Sequence, residues 1–185
     1  MAQPDCMPSR YDLGSSRGVN HNLASRQRRR LRLLVLGVGS ILMSDDGVGF
    51  HVITEFRKRP HAGVLVTEVG TALLDAVSLL SWADRVIVID ALHAEGAPGT
   101  IYWASLSEIH HRTGNLSLHE LDLNAALEFM PRDRPQPEIF VLGVQPGSLD
   151  MGLELSSPVT AAIPEALLIL EHKLAQWRKE RRQPR

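Results

Sequence analysis

Short apolar runs that end on a glycine or an acid alternate along this chain with stretches of helical period, and few folds accept that alternation. Leu33-Leu34-Val35-Leu36 is continuously apolar and stops at Gly37, the form of a strand buried on both faces. From Asp46 to Lys58, Val48, Val52, Ile53 and Phe56 recur at helical spacing. The alternation continues with a strand over 63–68 and a helix over 71–82 whose buried side carries Leu73, Leu74, Val77 and Leu80. Val86 to Ile89, β-branched throughout, is a third strand closed by Asp90. After the turn Ala97-Pro98-Gly99, residues 100–104 form a less apolar strand expected near a sheet edge. Ser117 with Glu120 has capping-box spacing and opens a third helix, and 139–144 is the fifth strand. Ser157, with Pro158 as the first helical residue, caps a long final helix. The expected fold is α/β: a three-layer sandwich whose mostly parallel, twisted sheet of about five strands carries helices on both faces.

The 185 residues suit one domain that buries about 70% of the surface its unfolded chain exposes. No apolar stretch approaches the roughly 18 residues of a membrane span. A single cysteine, Cys6, excludes an internal disulfide framework and a cysteine-built zinc ribbon, and fits a reducing cytoplasm. Charge is unevenly distributed. Residues 1–32 hold seven arginines against Asp5 and Asp12, residues 172–185 hold six bases against Glu180, and between them 18 acids face seven bases. An acidic body with basic ends argues against a nucleic-acid binder, whose cations line a folded face. Residues 1–30 therefore read as a disordered basic tail, 31–178 as a single α/β domain and 179–185 as a second basic tail, on a monomer of cytoplasmic location.

In such a sheet the carboxyl ends of the strands and the amino ends of the following helices share one edge, where ligands bind. Asp45 and Asp46 open the first helix, Asp90 ends the third strand, and His119 lies in the first turn of the third helix. The ordinary uses of these residues are a helix cap, a loop tie and a surface imidazole. Their common edge is what raises a joint site: two carboxylates and an imidazole suit a divalent ion of borderline hardness, nickel or zinc. The helix terminus disfavours imidazolium at His119 and favours an ionised Asp46.

Other motifs fail. Gly37-Val38-Gly39 begins a dinucleotide fingerprint, but Leu42 stands where the third glycine belongs. His119-Glu120 lacks the second histidine of a helix-borne zinc peptidase motif. His110 and His111 are adjacent, seldom face one site, and read as a polar loop.

The stretch from Leu34 to Gly49, LVLGVGSILMSDDGVG, resembles the opening signature of the nickel-iron hydrogenase maturation peptidases. Val86-Ile-Val-Ile-Asp-Ala91 with Ala97-Pro-Gly-Thr100 resembles their central strand and turn, and Ser117-Leu-His-Glu-Leu121 their histidine segment. Val141-Leu-Gly-Val-Gln-Pro146 with Gly152-Leu-Glu-Leu-Ser156 is similar to their final block. The resemblance spans Leu31 to Trp177 in the family's order. It implies an endopeptidase that removes the C-terminal extension of the nickel-iron hydrogenase large-subunit precursor after nickel insertion, with nickel supplied by that precursor. Asp46, Asp90 and His119 match the positions regarded as nickel ligands and catalytic residues. Some members carry Glu at the place of Asp46, and many read Asp-Gly-Gly-Thr where this chain has Glu68-Val69-Gly70-Thr71. Gly37 and Gly39 would let the strand-to-helix loop approach substrate backbone, or serve conformation alone. The residues also admit a hydrolase with resident zinc on the same fold, and a non-enzymatic chaperone for a hydrogenase precursor.

Overall fold

A computed structural model describes residues 30–112 and 118–180, with side chains for 30–109 and 123–180. Five strands make one sheet: β1 (Leu33–Val38), β2 (Val64–Gly70), β3 (Arg85–Ala91), β4 (Ile101–Ser105) and β5 (Glu138–Val144). Their order is β2-β1-β3-β5-β4, parallel except for β4, which runs antiparallel to β5. The link from β3 to β4 covers only residues 92–100, too short for the helical crossover a parallel return requires, so the chain reverses at the edge. A turn bond from Thr100 N–H to the Ala97 carbonyl (3.0 Å) makes that reversal, with Gly99 at φ +84°.

Alternation along the central strands builds two cores. Leu33 and Val35 of β1, Ile87 and Ile89 of β3 and Leu142 of β5 face helices α1 (Val48–Phe56) and α5 (Ser157–Glu180). Leu34, Leu36, Val86, Val88 and Val141 face the opposite way, onto α2 (Val77–Trp82), α3 (Leu106–Arg112) and α4 (Leu118–Glu128). Each fully buried aliphatic side chain contributes about 1.5–3 kcal/mol. The result is the expected α/β sandwich with helices on both faces of a mostly parallel sheet. Among the described residues no helix is long and apolar enough to cross a membrane.

Several local expectations need correction. The second helix is shorter than the 71–82 pattern suggests: a 3-10 turn at Leu73–Ala76 precedes α2, and this change of pitch buries Leu73 but leaves Leu74 exposed. His110 and His111 fall in α3 rather than a loop, their side chains lying outside the described residues. The cap of α5 is Ser156, whose carbonyl accepts the first helical bond from Thr160 N–H (2.9 Å), while Ser157 is already helical. Of the expected tails, residues 1–29 and 181–185 lie outside the described residues. Helix α5 continues through Lys179 and Glu180, where the Glu180 carboxylate accepts from Arg85 (2.8 Å).

Candidate active site

The first helix begins unusually close to the sheet. Gly49 makes this possible, because a Cβ there would meet the backbone of Val38 and, at 2.7 Å, the carbonyl oxygen of Ile89. The segment before it, Ser44–Gly47, is a 3-10 turn packed against β3. Gly39, at φ +104°, lies so near this turn that a Cβ would strike the Asp46 carbonyl oxygen. Gly37 is similarly filled by the chain itself, with Gly49 O and Ile53 Cγ1 each 2.7 Å from a Cβ position. Both glycines thus serve the close approach of the chain to itself, although they also border a cleft.

Asp45 and Asp46 take opposite roles. Asp45 is fully buried, and its Oδ2 accepts from Gly147 N–H (2.7 Å), Ser148 N–H (2.9 Å) and the Ser156 hydroxyl (2.7 Å), while Oδ1 accepts from Ser156 N–H (2.6 Å). Burial pushes this carboxyl up, but the bonds from Ser148, Ser156 and Gly147 outweigh it and leave the group below its ordinary value. Asp45 is therefore a clasp that ties the opening signature to the loop after β5. Asp46 is only half-buried, and its Oδ2 accepts from Ser40 N–H at 2.6 Å, which fixes the direction of its carboxylate. Just before them Ser44 adopts φ +45°, the single non-glycine residue with positive φ among the described residues. Such strain concentrates at working sites.

Asp90 lies within β3, at 6% exposure, in the strand beside β1. The packing of Gly49 on Ile89 brings the turn bearing Asp46 to the same end of β3. His119 occupies the first turn of α4 by its backbone; its side chain lies outside the described residues. Among the described side chains no three His, Cys, Asp or Glu groups converge. Asp46 and Asp90, two members of the expected trio, share the carboxyl edge of the sheet.

On the β2 side of this edge opens a cleft of about 410 Å³, walled by Gly39, Ser40, Leu42, Phe50, Glu68 and Thr71 among others; neither Asp46 nor Asp90 is among its lining residues. Ser40 links the cleft to Asp46, since it forms the wall and holds the carboxylate. Glu68, at the place of the expected Asp-Gly-Gly-Thr motif, is engaged with Arg57 at 2.6 Å. Sequence reasoning missed both the Asp45 clasp and the Ser40 tether. Two adjacent aspartates before a glycine give no signal of which one turns inward.

A sequence profile of the hydrogenase maturation protease family, HycI, matches residues 50–173. The chain belongs to this family. It is a peptide hydrolase accordingly, and Asp90 and His119 fall within the matched span while Asp46 lies just ahead of it. The hydrogenase expression/formation protein HupD of Rhizobium leguminosarum bv. viciae is 33% identical over 152 residues, 79% of this chain and 75% of the relative. The hydrogenase 2 maturation protease of Escherichia coli K12 is 31% identical over 143 residues, 74% of this chain and 87% of that protein. Among solved structures, the hydrogenase maturating endopeptidase HybD from E. coli superposes with a TM-score of 0.69 at 29% identity, covering 81% of this protease and 94% of HybD.

Proposed function

We propose that this maturation protease removes the C-terminal extension of a nickel-iron hydrogenase large-subunit precursor, and that nickel already seated in the precursor is what it recognises. The nickel arrives as part of the substrate. Asp46, Asp90 and His119 would grip it, two carboxylates and an imidazole being a donor set that suits a borderline divalent ion. The observation that carries the reading is the occurrence of Asp46 and Asp90 at one sheet edge in a chain of this family, with Ser40, which walls the adjoining cleft, bonded to Asp46. The tether from Ser40 holds Asp46 in one orientation before substrate arrives, so little ordering is required on binding.

Hydrolysis adds one water to the scissile carbonyl carbon, breaks the C–N bond and delivers the water's proton to the leaving nitrogen. Either aspartate can accept that proton in transit, and the substrate's nickel can polarise the carbonyl. A rate that falls as pH drops through the carboxylate range assigns the base to an aspartate; a rate that tracks the identity of the metal assigns the polarising role to the ion.

The decisive assay incubates the purified protein with large-subunit precursor, loaded with nickel or not, and follows loss of the extension by mass. Wild type is expected to cleave only the loaded form, and Asp90→Ala and His119→Ala to lose roughly 10²–10⁴-fold in rate. Cleavage of the nickel-free precursor, or full activity in both variants, overturns the reading. Stoichiometric zinc in the purified protein with cleavage of generic peptides would instead identify a resident-metal hydrolase. Binding with the extension left intact would identify a chaperone.

A further inference from the structure

Large hydrophobic side chains exposed singly need no explanation, but clusters of them mark contact surfaces. In this protein more than half of those exposed among the described residues lie in two short stretches: Ile41, Leu42 and Met43 after β1, and Leu149, Met151 and Leu153 after β5. Met151 is 87% exposed, Leu153 65% and Leu42 57%.

The two stretches are one surface. Met43 and Gly152 form a parallel bridge, Ser44 N–H donates to the Gly152 carbonyl (2.8 Å), and Gly152 N–H donates to the Leu42 carbonyl (2.9 Å). Beneath them Asp45 N–H reaches the Ser148 carbonyl (3.1 Å), and the Asp45 carboxylate holds Gly147, Ser148 and Ser156. These ties prearrange the surface, which lowers the entropic cost of binding to it.

We infer that this apolar platform docks the folded body of the large-subunit precursor, through an apolar face ringed by basic residues, while the segment to be cut enters the neighbouring cleft. The inference rests on the function proposed above and adds a second contact to it. Ile41 and Leu42 belong to both platform and cleft, so the two surfaces are continuous. No residue of the 147–156 loop walls the cleft, so a segment lying there leaves Met151 and Leu153 for a different part of the substrate. Charge selects the partner's rim. Residues 39–50 and 145–157 contain Asp45, Asp46, Asp150 and Glu154 and no lysine or arginine, and both Asp150 and Glu154 are exposed. Two methionines on the platform adapt readily to an irregular facing surface.

The test measures both affinity for the nickel-loaded precursor by biolayer interferometry and its cleavage, using the full chain. The Met151→Asp/Leu153→Asp variant is expected to raise Kd and KM at least roughly tenfold, with kcat at saturation within about twofold of wild type. Met151→Ala/Leu153→Ala should shift them in the same direction by less. Leu168→Asp, at a leucine 67% exposed on α5, should change neither. Wild-type cleavage with unchanged Kd and KM in the aspartate variant sinks the platform and leaves the proposed function standing. Absence of wild-type cleavage with Kd still weakened by the variant does the reverse. Loss of a wild-type dimer in the variant, with Kd and KM unaltered, would give the surface to a second copy of this chain and also overturn the inference.

Discussion

The two edges of the sheet use acids in contrasting ways. At the amino edge three acids meet arginines: Asp84 takes Arg32 (3.2 Å), and Glu138 and Glu180 share Arg85 (2.7 and 2.8 Å). The same guanidinium groups lie over Trp82 and Trp177, 5.7 and 5.2 Å from the ring centres. At the carboxyl edge Asp45 is held by three backbone N–H groups and a hydroxyl, and Asp46 takes the N–H of Ser40. Arginine cancels the charge it binds, whereas backbone dipoles stabilise a carboxylate and leave its net charge in place. Arginine pairing thus dominates at the amino edge, whereas at the carboxyl edge it holds Glu68, through Arg57, and Asp45 is fastened by backbone and hydroxyl donors.

The contrast is broken most severely at Gly39. Its φ of +104° and the adjacent Asp46 carbonyl make Gly39→Ala expensive, roughly 2–3 kcal/mol in denaturant melts, with at least tenfold slower precursor cleavage as Asp46 is displaced. Gly63, before β2 at the opposite edge, has φ +76° with open space around its Cβ position. Gly63→Ala should therefore cost only about 1 kcal/mol and leave cleavage unchanged. Equal losses of activity in the two variants would erase the distinction between the edges.

Asp45→Asn is the next largest. Removing a buried, multiply bonded carboxylate should cost about 2–3 kcal/mol at neutral pH, read from thermal melts. Because hydrogen bonds lower the folded-state pKa, the stabilisation is complete above the unfolded value and disappears as pH falls through the folded one. The gap in Tm between wild type and Asp45→Asn should accordingly close on acidification below about pH 4, and a constant gap would contradict the clasp. Asp84→Asn should matter least. Its ion pair with Arg32 is partly solvated, so about 0.5–1 kcal/mol of stability is lost and cleavage is unaffected.

Much of this was legible in the chain. Runs such as Leu33 to Leu36 could only be central strands, and Val48, Val52, Ile53 and Phe56 all proved buried on α1. The shared edge of Asp46 and Asp90 followed from strand and helix polarity alone. Leu74 was misassigned because a 3-10 turn advances 120° per residue instead of 100°, which rotates the apolar side of the segment. Asp45 could not be distinguished from Asp46, because its partners at 147, 148 and 156 are supplied by a loop more than a hundred positions downstream.

That separation has a consequence for synthesis of the protein. A ribosome that has released residues up to Val144 has already delivered all five strands, yet the acceptor at position 45 still lacks every one of the donors that fasten it. Fastening Asp45 thus waits on a loop made after all five strands, and requires closure of a loop of about a hundred residues. The clasp around position 45 can close only once residue 156 has left the ribosome.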